Sequence, residues 1–258
     1  MTHPLGDPST GVVVTGGASG IGAACAAALA TAGRPVAVWD LDPERAKLVA
    51  GRCHNEYGVV TTAVGIDVTD EAAVASAVAS TVEALGGVGG FVHAAGIVHG
   101  AIDDVIDTAT WDAVLSTHLR AYAFVTHAVL PELRRAGPGS AIVGISSIEG
   151  LVGHGFIPSY TAAKHGMIGL TRSLAHRLGP EAIRVNAVCP GYINTPMLAP
   201  TIETPEARAG FEARVPLGRL GEPAEIAQVV RFLLSNESSY LHGAAVVVDG
   251  GVTATGGQ

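Results

Sequence analysis

Val12-Val13-Val14-Thr15-Gly16-Gly17-Ala18-Ser19-Gly20-Ile21-Gly22 decides the fold. Three β-branched residues read as a short strand, the glycines as a tight turn, and the apolar run Ala23 to Ala32 as a helix. A glycine turn between strand and helix brings backbone N–H groups and the helix N-terminus close to a pyrophosphate. Val36-Ala37-Val38-Trp39 is the next strand, and Asp40 ends it eighteen residues beyond Gly22. A carboxylate at that position accepts hydrogen bonds from both adenosine ribose hydroxyls and repels a 2′-phosphate. Neither the glycine turn nor the neighbourhood of Asp40 and Leu41 carries an Arg or Lys to welcome that phosphate before Arg45. The turn residues Thr15, Gly16, Ser19, Gly20, Ile21 and Gly22, with Asp40 and Leu41, therefore predict binding of NAD(H) rather than NADP(H).

The same rhythm extends along the chain. Helical signals span about residues 43 to 57, a strand 59 to 66 ending at Asp67, and a helix 70 to 85. A fourth strand is Gly90-Phe91-Val92-His93. A helix follows from Thr110 to Arg135, which Pro131 is expected to bend or break. Further strands are read at 141 to 146, 183 to 188 and 244 to 248, and further helices at 159 to 178 and 222 to 235. Residues 190 to 216 are rich in Pro, Thr and Gly and read as a mobile lid. Strand–helix alternation of this kind means a parallel sheet with right-handed crossovers, an α/β fold. No internal repeat or domain boundary interrupts it, so residues 1 to 258 read as one domain with a flexible tail at 1 to 10.

Composition narrows the function. The chain has 258 residues and a formal charge of 15 − 23 = −8. An acidic balance without a basic stripe argues against nucleic acid as a partner. The apolar run before Gly33 is too short to cross a bilayer. Cys25, Cys53 and Cys189 are widely spaced and odd in number, which fits reduced thiols and a cytoplasmic location. The histidines show no metal-ligand spacing, and Asp104 and Asp107 read as solvated loop or helix-start carboxylates.

Chemistry enters at Tyr160-Thr161-Ala162-Ala163-Lys164, thirteen residues after Ser147. Four residues make about one helical turn, so phenol and ammonium share a helix face. A free tyrosine, with a pKa near about 10, is a poor base at neutral pH, and an adjacent positive charge favours its phenolate.

These residues resemble the short-chain dehydrogenase/reductase family in its single-domain form. The resemblance is carried by Thr15 to Gly22, Asp67, Ala94-Ala95-Gly96-Ile97, Ser147, Tyr160-x-x-x-Lys164, Val185-Asn186-Ala187-Val188-Cys189-Pro190-Gly191, Thr195 and Val248-Asp249-Gly250-Gly251. It implies a Rossmann-like doubly wound fold with a seven-stranded parallel sheet. It implies that Asp67 and Val68 meet adenine and that Ala94, Ala95 and Gly96 pass the adenosine ribose. Pro190, Gly191, Ile193 and Thr195 would frame the nicotinamide. Tyr160 would be the general acid/base, Lys164 would hold ribose hydroxyls and depress the Tyr160 pKa, and Ser147 would hydrogen-bond the substrate oxygen. The implied activity is NAD-dependent interconversion of a secondary alcohol and a ketone. Two alternatives stay open: an NADH-dependent carbonyl reductase, and a cofactor-binding protein with little turnover. Helices packed between subunits imply a homo-oligomer, a tetramer by analogy.

Two positions depart from the family pattern. His93-Ala94-Ala95-Gly96 stands where Asn-Asn-Ala-Gly is usual, and His118 takes the place of a usual Asn in the next helix. That Asn serves a water-linked proton relay, partly through its main-chain carbonyl at a helix distortion. His118 is therefore either a relay residue with an added titratable group or a structural replacement. Glu149, Leu151, His154 and Phe156, with Tyr192, Met197 and Leu198, are expected to rim a mainly apolar substrate pocket. Glu149 and His154 would be available to a second polar group.

Overall fold

Val12, Val13 and Val14 are completely buried. Their side chains alternate, so Val12 and Val14 join one core and Val13 the opposite one. A strand that is apolar on both faces has to be covered on both sides. The computed structural model describes residues 9–98 and 106–255, so Asp104 and most of the expected tail lie outside the described residues.

The sheet is built from β1 (Gly11–Thr15), β2 (Val36–Asp40), β3 (Thr61–Gly65), β4 (Val88–His93), β5 (Ala141–Ile145), β6 (Arg184–Pro190) and β7 (Ala245–Val248). All pairings are parallel, in the order β3-β2-β1-β4-β5-β6-β7. The chain works outward from β1 to β3 and then crosses back to lay β4 on the other side of β1. That reversal opens a crevice at the carboxyl ends of β1 and β4.

Helices α1 (Gly20–Thr31), α2 (Pro43–Tyr57) and α8 (Pro223–Leu233) cover the Val12 face. Helices α3 (Glu71–Leu85), α5 (Ala121–Ala136) and α6 (Pro158–Leu178) cover the Val13 face, where Trp39, Phe91 and Tyr122 pack. The buried indole of Trp39 donates to Thr81 Oγ1 at 3.0 Å, which ties β2 to α3. Local sequence sets the helix limits. Asp42 and Asp70 accept from backbone N–H groups at the starts of α2 and α3, and left-handed Gly58 and Gly86 end them.

Three sequence expectations need correction. The segment expected as one helix from Thr110 is α4 (Thr108–Leu115), a π-helical turn over Ser116–Arg120, and then α5. Pro131 does not break α5, which continues to Ala136. Pro131 and His127, whose carbonyl loses its donor, both lie on the exposed side, where water can serve that carbonyl. The stretch after β6, read as a lid, holds α7 (Pro205–Glu212), capped by Thr204 Oγ1, and Ile193 bridges to Gly221. The third strand is shorter than expected at both ends.

Candidate active site

Four turns converge at the carboxyl ends of the central strands. The first follows β1. Gly16 has φ +63, and a Cβ there would lie 2.8 Å from the Ala94 carbonyl, so the turns after β1 and β4 press together. A Cβ on Gly22 would overlap the Gly16 carbonyl. Ser19 occupies the N-cap of α1 without a side-chain cap bond, and the first turn of α1 holds no acidic residue. The N–H groups at that end are thus free of a competing carboxylate. Asp40 closes the crevice wall, with its Oδ2 accepting from Ala18 N–H at 2.9 Å and its Oδ1 from Asp42 N–H at 3.0 Å. Leu41 beside it is exposed.

The turn after β3 places Val68 in the core and leaves Asp67 exposed, bonded to Thr69 through its N–H and Oγ1 at 2.9 and 2.7 Å. The turn after β6 comes over the glycines: a Cβ on Gly20 would lie 3.4 Å from Thr195 Cγ2. Gly191 packs against Asp249, and Ile193 is buried. These contacts bring the turns after β1, β4 and β6, with their predicted dinucleotide residues, to one crevice.

The turn after β5 supplies the titratable groups. Ser147 caps a 3₁₀ turn, Ile148–Gly150, and its Oγ accepts from Glu149 N–H at 3.2 Å. Ser146 Oγ donates to the Lys164 carbonyl at 3.0 Å, which locks this turn onto the start of α6. Tyr160 and Lys164 share a face of α6, with Lys164 Nζ 5.2 Å from the Tyr160 ring centroid. Lys164 is 4% exposed, and its amine donates to the Ile145 carbonyl at 2.6 Å.

Burial changes the expected electrostatics. Desolvation pushes the Tyr160 phenol up to about 12; a bond with Ser147 pulls it back, and the charge on Glu149 raises it. Desolvation lowers the Lys164 amine to about 7. The expected depression of Tyr160 by a permanent ammonium is therefore not found in the free protein. Lys164 is buried and Tyr160 half-buried, and each favours its neutral form.

His93 and His118 form a buried layer beneath this pair. A carbonyl only accepts, so His93 Nε2 carries a proton shared between Thr117 O at 3.2 Å and His118 O at 3.1 Å. Its Nδ1 then accepts from Thr15 Oγ1 at 3.0 Å. His93 thus fastens the end of β1 to the π turn, and it engages the very main-chain carbonyl that the family pattern would offer to water. His118 Nε2 lies 2.7 Å from the Ile97 carbonyl and 3.0 Å from the Ile97 N–H, donating to the first or accepting from the second according to its tautomer, and its ring stands edge-on to Tyr160 with centroids 5.3 Å apart. Its Nδ1 is buried without a hydrogen-bond partner among the described residues. Burial, then the charge on Lys164, lowers both imidazoles, His93 to about 3 and His118 well below its ordinary value. Both imidazoles therefore favour the neutral form in the free protein.

The family model described as enoyl-(acyl carrier protein) reductase matches residues 16–253. The chain is a short-chain dehydrogenase/reductase. It is 42% identical to cis-4-hydroxycyclohexanecarboxylate dehydrogenase of Sinomonas cyclohexanicum, over 94% of this chain and 96% of that one. It is 38% identical to a 3-oxoacyl-(acyl-carrier-protein) reductase of Thermotoga maritima, over 93% and 96%. A short-chain alcohol dehydrogenase structure from Sinorhizobium meliloti superimposes with a TM-score of 0.91 at 33% identity, covering 98% of this chain and 99% of that one. The fold and the oxidoreductase family expected from the sequence are thus shown.

Within this short-chain dehydrogenase/reductase, the expected pocket residues divide. Glu149 is buried beside Ser147. His154 is partly exposed, and its ring packs against Phe156 at 5.8 Å. Tyr192 packs edge-on to Phe211 at 5.0 Å and joins Ile148, Val215 and Val252 in a small apolar cluster. Leu151, Phe156 and Met197 are exposed and Leu198 is partly so. Sequence reasoning missed Phe211, because it did not register Thr204-Pro205 as a helix start. It also missed the bonds of His93, which no local pattern announces. Among the described residues no helix is long and apolar enough to cross a membrane. Nor are three or more His, Cys, Asp or Glu side chains among them grouped to hold a metal.

Proposed function

We propose that this chain is an NAD(H)-dependent oxidoreductase interconverting a cyclic secondary alcohol and its ketone. The convergence of Ser147, Tyr160 and Lys164 beside the glycine turn carries this reading. The relative that acts on a hydroxycyclohexane carboxylate supports a cyclic substrate. The residues present fit a dinucleotide: the acid-free start of α1, the close approach permitted at Gly16 and Gly22, and the carboxylate of Asp40. Thr15, Ser19 and Ile21 line the same turn, and Asp67, Val68, Ala94, Ala95, Gly96, Pro190, Gly191, Ile193 and Thr195 complete the crevice. Asp40, with no cation beside it in the glycine turn, favours NAD(H) over NADP(H).

The bound nicotinamide supplies hydride transfer. Ser147 Oγ accepts from Glu149 N–H and bonds Tyr160 in the free protein, and a bound substrate oxygen would take over its hydroxyl hydrogen. Tyr160 takes the alcohol proton in oxidation and returns it in reduction. A phenol near 12 is a proton donor at neutral pH, which favours ketone reduction there, and oxidation should accelerate as pH rises. Lys164, held by the Ile145 carbonyl, steadies the phenolate whenever it is charged. His118 is a positioning residue that holds Ile97 and walls Tyr160. Residues 190 to 216 would cover bound substrate, and the half-exposed edge strand β7 suits a second copy of the chain.

The test is growth or loss of reduced-nicotinamide absorbance with cyclohexanols and cyclohexanones, using both cofactors. Turnover that NADP(H) supports better than NAD(H) would reverse the cofactor assignment. Dinucleotide binding without turnover of any alcohol or ketone would return the chain to the binding-protein reading.

A further inference from the structure

Glu149 is the one carboxyl side chain that is buried among the described residues, at 7% exposure. Its Oε2 has no hydrogen-bond partner among the described residues. None of the ion pairs found among the described residues involves it. The turn that carries it does not need a carboxylate. Ser147 caps that turn, Ile148 supplies its apolar contact, and Gly150 allows the close approach to the Lys164 carbonyl. An uncompensated buried polar group is costly, and more so when charged. The fold alone gives no return for that cost.

The position of Glu149 suggests what does. It follows Ser147 by two residues, and its own N–H is bonded to Ser147 Oγ. Its charge reaches the Tyr160 phenol and raises it. Both groups assigned to the reacting oxygen are thus tied to this residue, Ser147 by a hydrogen bond to its backbone and Tyr160 by its charge. Burial raises the Glu149 carboxyl above its ordinary value, and His154 and His165, which pull it partly back, make no hydrogen bond to it, so its free oxygen is not absorbed by an internal cation.

We propose that Glu149 accepts a hydrogen bond from a hydroxyl on the carbon next to the reacting one, so that the preferred substrates are vicinal diols or, in reverse, α-hydroxy ketones. This deepens the reading of Ser147 and Tyr160 given above and rests on it. In oxidation the carbinol C–H bond breaks and its hydride passes to the oxidised nicotinamide dinucleotide. The hydroxyl proton passes to Tyr160 and the C=O bond forms. The neighbouring hydroxyl is unchanged and stays on Glu149. A simple alcohol leaves the carboxyl stripped of water and unpaired, which penalises it relative to the diol.

The experiment compares kcat/KM for cyclohexane-1,2-diol and cyclohexanol with NAD, in wild type, Glu149→Gln and Glu149→Leu. A hydrogen bond to a charged acceptor predicts that wild type prefers the diol by about 10- to 100-fold. Glu149→Gln, which keeps a weaker acceptor, should reduce that ratio, and Glu149→Leu should bring it near one. Should the leucine variant not fold by circular dichroism, the glutamine variant reads the same ratio. A wild type that oxidises cyclohexanol without preferring the diol overturns the proposal, as does a preference that survives both substitutions. A change in sedimentation mass in Glu149→Gln with an unaltered ratio also overturns it, by placing the partner of Glu149 on another copy. Failure of every alcohol and ketone in wild type would instead defeat the proposed function itself.

Discussion

The turn after β1 and the turn after β5 do similar architectural jobs and are made in opposite ways. Each leaves a buried parallel strand and leads toward a long helix at the same edge of the sheet. The first is shaped by missing atoms: no Cβ on Gly16 or Gly22 and no acid at the start of α1. The second is shaped by polar side chains taken out of water, with Ser146, Ser147, Glu149 and Lys164 all buried. A site for a dinucleotide needs backbone within reach. A site for proton transfer needs groups whose charge states burial has shifted. His93 joins the two, with Thr15 on one nitrogen and the π turn on the other.

The largest effect should come from the second turn. Tyr160→Phe is expected to cost about 10²- to 10⁴-fold in kcat while leaving dinucleotide affinity close to wild type, read by steady-state rates and calorimetric titration. If affinity falls as much as rate, the two turns are not separable. Next, Asp40→Ser should lower the NAD-to-NADP ratio of kcat/KM by about 10- to 100-fold, the worth of a charged hydrogen bond. Gly22→Ala forces a methyl against the Gly16 carbonyl and should lose about 1–3 kcal/mol in thermal or denaturant unfolding. It should also weaken dinucleotide binding.

His93 offers a pH test of the link between them. Its folded value of about 3 lies below the ordinary 6.5, so between those pH values the unfolded chain binds the extra proton. Stability should therefore fall as pH drops through that window, at up to about 1.4 kcal/mol per unit from this group. His93→Asn should flatten the fall, as measured by urea midpoints at pH 7, 6 and 5. The smallest effect is expected at His118. Because its buried ring stays neutral, His118→Asn should leave the midpoints of the pH–rate profile in place, even if the rate changes. A midpoint between pH 5 and 9 that disappears in that variant would show that the imidazole titrates.

The contrast also explains what was legible in the sequence. Gly16, Gly22 and Asp40 could be read because a missing Cβ or a strand-end carboxylate is a local property. Tyr160 and Lys164 could be paired from helical spacing, and the structure keeps them on one face. Their charge states could not be read, since desolvation depends on what other segments lay over them. The distortion at Ser116–Arg120 was implied by the family resemblance and not by local pattern, in which Pro131 is the stronger signal and one that the exposed side of α5 tolerates. Glu149 was visible as a pocket residue, but its lack of a partner is a fact of three-dimensional packing.

One contact couples two positions in a way that outlasts the present sequence. The His118 ring lies so close to Gly96 that a methyl there would overlap Cε1. Any drift of residue 96 away from glycine must therefore wait until residue 118 has shrunk. The order of those two substitutions is fixed by sterics, and a library that randomises either site alone would miss every viable combination that needs both.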